Sequence, residues 1–165
     1  IFTLVGGSIL NLLTSGIFVQ QVSLSKQELV DQVSFIADYM SRAIREAQKD
    51  MTGACSSPAK SNYEVIGTDR IQFLDVGGIC RDIIFDSVGG TITESIGGAA
   101  AVSLFSDNLV VNSLSFTVSG ETQTDDLQPR VTFFLDVQAK EGREGQRPRM
   151  RLQTTISQRH IDILE

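Results

Sequence analysis

The sequence predicts an α+β protein: one long N-terminal helix, hydrophobic in its first half, packed on an antiparallel β-sheet head. Three observations carry this. Residues Ile1 to Ser25 hold no charged side chain, and the same proline-free stretch then continues as a charged amphipathic pattern to about Met51. Beyond Thr52, glycine pairs break the chain into short runs of strand-favouring residues. Towards the C-terminus, three longer segments alternate apolar and polar side chains. The chain therefore divides into a hydrophobic helix half over 1–25, an amphipathic helix half over 26–52 that packs on the head, and a β-rich globular head over 53–165.

In helical form the charge-free stretch would extend roughly 37 Å at 1.5 Å per residue, against a hydrocarbon core of about 30 Å. A transmembrane span, or burial among like helices, is the expectation. Gly6, Gly7 and Gly16 interrupt the stretch, together with Ser8, Asn11, Thr14 and Ser15. A cleaved signal peptide would show a basic segment ahead and a small-residue cleavage site behind. Neither pattern is present, and the stretch runs directly into a helix.

From Lys26 the apolar residues become periodic. Leu29, Val33, Ile36, Met40, Ala43 and Ala47 recur at alternating spacings of four and three, with Val30, Ala37 and Ile44 widening the stripe. Such spacing lines one face of a helix, and Leu29, Val33, Ile36, Met40 and Ile44 are the residues expected to dock the head. Asp31, Asp38, Arg42, Arg45, Glu46 and Lys49 fall on the other side, with Asp38 and Arg42 placed for an i,i+4 ion pair. Gly53 is the expected stop.

After a polar loop from Ala54 to Asn62, the runs Arg70–Asp75, Ile79–Asp86 and Thr91–Ile96 each lead into a glycine pair. Glycine supplies the positive φ that tight hairpins need, so these read as an antiparallel meander. Residues 99–108 form a connection. Leu114, Phe116 and Val118 then share one side of a strand, as do Val131, Phe133, Leu135 and Val137, and Met150, Leu152, Thr154 and Ile156. Three strands with one apolar face each match the apolar stripe of one helix.

Net charge is −6. Residues 140–159 hold Lys140, Arg143, Arg147, Arg149, Arg151 and Arg159 against Glu141 and Glu144, a local +4 that leaves −10 elsewhere. Nucleic-acid affinity comes largely from neutralising phosphates, so DNA is not favoured as a partner. Arg143, Arg147, Arg149 and Arg151 form a basic strip that could meet a neighbouring subunit, or be an edge strand blunted by charge. Cys55 and Cys80 are the only cysteines. Beside a membrane-like N-terminus they fit one disulfide in an oxidising compartment, closing a loop worth ~3 kcal/mol in the chain-entropy view; two buried thiols are the alternative.

Catalytic chemistry finds little support. His160 is the one histidine, with no nucleophile or orienting acid marked for it. Asp125, Asp126 and Glu121 could offer oxygens to a hard cation, but the spaced calcium-loop pattern is missing. None of the glycine pairs has phosphate-loop spacing ahead of a helix. No enzyme activity, cofactor or metal is expected.

Taken together, the layout resembles the type IV pilin-like proteins, in particular minor pilins and pseudopilins. The run Gln128-Pro129-Arg130-Val131-Thr132 and the ending Leu152-Gln153-Thr154-Thr155-Ile156-Ser157-Gln158-Arg159 are similar to closing strands of minor pilins. The resemblance implies a structural filament subunit that assembles through its N-terminal helix with the β head exposed. It implies a bacterial inner-membrane location before assembly, then a cell-surface or periplasmic filament. Its partners would be copies of itself or related pilins and the inner-membrane assembly machinery. Alternatives are a type II secretion pseudopilin or a monomeric membrane-anchored extracytoplasmic binding domain. Phe2-Thr3-Leu4-Val5 is similar to a processed pilin start, yet Gly6 stands where the family places glutamate. Either the subunit is a divergent member without the glutamate or, as is preferred, the sequence begins inside the hydrophobic helix. Gly6 and Gly7, and further on Gly16, are candidates for local helix melting on assembly, since glycine costs a helix about 1 kcal/mol relative to alanine.

Overall fold

A computed structural model describes residues 2–121, 127–140 and 147–159, with side chains from residue 14 onward. The fold is α+β. Helix α1 (Phe2–Arg45) is followed by β1 (Glu64–Ile66), β2 (Arg70–Leu74), β3 (Cys80–Asp86), β4 (Thr91–Ile96), β5 (Val102–Ser103), β6 (Leu109–Ser119), β7 (Arg130–Ala139) and β8 (Arg149–Ser157). All strand pairings are antiparallel.

The head is two sheets, ordered β1-β2-β3-β4-β5 and β6-β7-β8, where the sequence reading had one. The sheets meet along the outer edge of β6, whose Val111 and Phe116 N–H groups donate to the Gly90 and Thr68 carbonyls. Strands β2, β3 and β4 follow the glycine-punctuated runs, with Gly78, Gly90 and Gly97 at positive φ in their turns. The connection over 99–108 contains the two-residue β5, too short for alternation to mark.

Helix α1 lays its apolar stripe on the second sheet. Leu29, Val33, Ile36, Met40 and Ile44 are buried with Val131, Phe133, Leu135 and Val137 of β7 in one core. Ile71, Phe73, Ile83 and Ile92 of the first sheet join that core, as does Tyr63, packed edge-on to Phe73. Val30, expected to widen the stripe, is 41% exposed.

The amphipathic helix expected over 26–52 ends instead at Arg45. No breaker residue stops it; the head does, by capping its last carbonyls. The Tyr63 hydroxyl donates to Ile44 O at 2.7 Å, Arg159 N–H to Arg45 O at 2.8 Å, and Gln158 Nε2 to Ala47 O at 2.7 Å. Orphan carbonyls at a helix end need partners, and here the chain can leave the helix without stranding them. Gln48 and Asp50 then bridge to Leu74 and Ser61. Gly53 takes φ +71° inside the following loop, where a Cβ would press on Ala59 at 3.2 Å.

Candidate assembly surface

Between Thr14 and Glu28 no side chain is buried, and Leu29 is the first helical residue that the head covers. That bare stretch rises about 22 Å. It carries three exposed apolar residues, Ile17 at 56% and Val19 and Leu24 at 65%; Phe35, beyond Leu29, is exposed as well. Ile17, Leu24 and Phe35 are spaced by seven and eleven residues, two and three helical turns, so these three share one line, on which Asp31 also falls. At about 100° per residue this line lies roughly 150° round the helix from the Leu29–Ile44 stripe. One helix thus offers an apolar stripe satisfied by its own head and, on the other side, three exposed apolar residues left to water, with the charged Glu28 and Asp31 between the second and the third.

Helix α1 runs through Gly6 and Gly7 without a break; nothing further of them belongs to the described side chains. Gly16 sits on open helix, with nothing within 4 Å of where its Cβ would be. Among the described residues no helix is long and apolar enough to cross a membrane, so the expected span has no counterpart there.

The helix is tied to the first sheet by polar contacts along its flank. Tyr39 donates its hydroxyl to Glu94 at 2.5 Å, and Arg81 reaches Tyr39, Glu94 and Asp75 at 3.1–3.2 Å. Burial, with the neighbouring Glu94 carboxylate, raises the Tyr39 pKa. Glu28 and Gln32 accept from Asn108 Nδ2 and the Ser106 N–H. The Asp38–Arg42 ion pair forms on the exposed side.

Cys55 and Cys80 form the disulfide, with Cα atoms 5.4 Å apart. It joins β3 to a loop built on Asp50. That carboxylate, 1% exposed, accepts from the Thr52 N–H and hydroxyl and from the Gly53, Cys55 and Ser56 N–H groups. Burial alone would raise its pKa; the Ser56, Cys55 and Thr52 donors outweigh that and hold it well below the carboxylate range.

The basic strip resolves differently from a free cationic patch. Arg149 grips Asp136 of β7 through Nε and Nη2 at 2.7 and 2.6 Å, and Arg151 Nε reaches the same carboxylate at 2.7 Å. Arg149, aided by Arg151 and Asn112 against the cost of burial, holds Asp136 at a pKa of about 2. Arg147 also has a partner. Arg143, Asp125, Asp126 and His160 lie outside the described residues. Glu121 accepts the Tyr63 N–H at 3.1 Å.

No family model, curated protein or solved structure matches this chain. Among the described residues no group of histidine, cysteine or acidic side chains is placed to hold a metal. What the geometry offers is contact surface. The exposed helix line was not singled out in the sequence, although its seven- and eleven-residue spacing was there to be counted.

Proposed function

We propose that this protein is the structural subunit of a type IV pilus or pilus-like filament. Copies would pack through the N-terminal half of α1, with the β head carried on the outside. The observation that carries this reading is the helix itself: one stripe is buried on the head, while Ile17 and Leu24, on the stretch before Leu29 where no side chain is buried, and Phe35 farther along stay exposed on the other side. Large apolar side chains left exposed at helical spacing suit contact with a partner. The uncharged stretch with Gly16, Ser15 and Thr14 suits close approach of helix to helix, where small residues let backbones near one another. A bacterial inner-membrane location before assembly, and a cell-surface or periplasmic filament after it, complete the proposal.

The test is electron microscopy of surface filaments from source cells carrying the chain or Leu24→Lys. Filaments containing the wild-type chain, with Leu24→Lys excluded from them while the full-length variant in detergent melts as wild type does, are the expected outcome. A wild-type protein that stays monomeric and enters no filament or secretion complex overturns the proposal.

A further inference from the structure

Among the described residues, one long strand edge is left open. In the first sheet the edge strands have three residues (β1) and two (β5), and the outer edge of β6 is met by Gly90 and Thr68. Strand β8, nine residues long, borders the second sheet with β7 on one side only.

The ladder fixes which groups of β8 are unpaired. Ala139 N–H donates to Pro148 O at 2.9 Å, and Gln158 N–H to Pro129 O at 3.2 Å. Both pairs continue the β7–β8 register. In an antiparallel ladder, residues that exchange bonds with the partner alternate with residues that point away. Pro148, Met150, Leu152, Thr154, Ile156 and Gln158 therefore face β7. Arg149, Arg151, Gln153, Thr155 and Ser157 turn their N–H and C=O groups outward. Arg159, next in that row, gives its N–H to Arg45 O of the helix. Among the described residues, no backbone or side-chain group of the chain bonds the outward main-chain groups of the other five.

Beside this edge is a place for side chains. The inward residues of β7 are fully buried, whereas Met150, Leu152 and Thr154 of β8 are only half-buried. A groove of about 500 Å³ opens between Val22, Lys26, Leu29 and Val30 of the helix and Pro148, Arg149 and Met150. On the opposite face of the strand, two arginines share one carboxylate, so one positive charge is left over. Their side chains are 45% and 62% exposed. Gln153, Thr155 and Ser157 continue that face without an acid.

We propose that the β8 edge is a strand-addition site for an extended segment of another polypeptide whose apolar residues alternate with acidic ones. Main-chain bonds to Arg151, Gln153 and Thr155 would hold the segment. Its apolar side chains would enter the groove under Val30, and its carboxylates would meet Arg149 and Arg151. Alternate side chains reading two different faces is how strand addition acquires specificity. This inference is independent of filament assembly, since it requires only the folded head and the adjoining helix.

The test uses the full chain in detergent micelles, titrated with a nine-residue peptide alternating valine and glutamate and followed by amide hydrogen exchange. Exchange at Arg151, Gln153 and Thr155 is expected to slow about tenfold or more at saturation, while the amides already in the β7 ladder change little. Gln153→Pro deletes one outward N–H and no bond to β7, a position where an edge strand tolerates proline. It should keep the wild-type melt and weaken peptide binding about tenfold. Val30→Glu, at an exposed groove position, should weaken it similarly, as should lysine in place of glutamate in the peptide. Unchanged exchange at millimolar peptide, or equal binding by both variants, overturns the proposal. So does a peptide-free dimer with these three amides already protected, which would make β8 a self-pairing edge.

Discussion

Asp50→Asn is the most informative perturbation of the head, because it changes one oxygen to an amide nitrogen and leaves the shape alone. Oδ1 accepts from Thr52 N, Thr52 Oγ1 and Gly53 N at 3.0, 2.9 and 2.9 Å; Oδ2 accepts from Cys55 N and Ser56 N at 2.6 and 3.0 Å. Whichever oxygen is replaced, at least two backbone N–H donors then face an NH₂ group. Each bond to a charged acceptor is worth ~1.5–3 kcal/mol, and each stranded buried donor costs a similar amount. We expect a loss of about 4 kcal/mol, or roughly 10 °C in Tm for a domain of this size. The pH dependence has a definite sign. A carboxyl whose folded pKa is depressed contributes stability above its unfolded value near 4, and loses it as pH falls towards the folded value. Wild type should therefore lose stability on acidification below about pH 4, and the asparagine variant should show a flatter acid limb. Thermal melts by circular dichroism across that range, on disulfide-intact protein, decide the matter. A variant melting within about 3 °C of wild type, with the same acid limb, refutes the view that this carboxylate organises the loop.

Other outcomes follow from the same contacts. Asp136→Asn should cost about 2 kcal/mol at neutral pH, allowing for the solvent exposure of both arginines; since Asp136 titrates at about 2 when folded, the difference from wild type should shrink as pH falls below about 4. Tyr39→Phe leaves Glu94, 6% exposed, with Arg81 as its remaining partner, and chemical denaturation should show a loss of about 1–2 kcal/mol. Replacing Cys55 and Cys80 by serine should lower stability by about 3 kcal/mol, and the intact wild-type protein should gain two thiols by mass only after reduction.

The α+β layout was legible because its signals are periodic. The spacing of Leu29, Val33, Ile36, Met40 and Ile44 marks the face that the structure buries, and the alternation over 131–137 marks the buried side of β7. The glycine pairs placed the turns around β2, β3 and β4 to within a residue or two. What escaped depends on contacts distant in sequence. The helix stops at Arg45, where Tyr63 and Arg159 take the Ile44 and Arg45 carbonyls and Gln158 takes that of Ala47 just beyond, and no local pattern announces partners that lie so far along the chain. The bounds of β6 match the alternating run, but Leu109 and Val111 were not assigned to its inward side, because a bulge at Asn112 shifts that side from them to Leu114 and Phe116. Asp136 read as an ordinary outward residue between Leu135 and Val137; two arginines from β8 cover it, and it is 3% exposed. Of the basic strip, composition gave the charges but not that a buried carboxylate engages two of them.

The joint between rod and head bears on how a filament subunit would work. Head groups bond the last two helix carbonyls and that of Ala47 just beyond, so main-chain contacts as well as packed side chains set the helix rotation about its axis. The Tyr39–Glu94–Arg81 contacts fix the same angle from the flank. Because α1 is continuous from Phe2 to Arg45, that angle carries through to Ile17 and Leu24. The exposed line thus has a defined direction relative to β8 and its groove. If the helices of neighbouring copies pack along that line, each head faces outward in one set orientation, and every β8 edge is presented alike. A flexible hinge at residue 45 would remove that coupling; the capped, hydrogen-bonded joint supplies it.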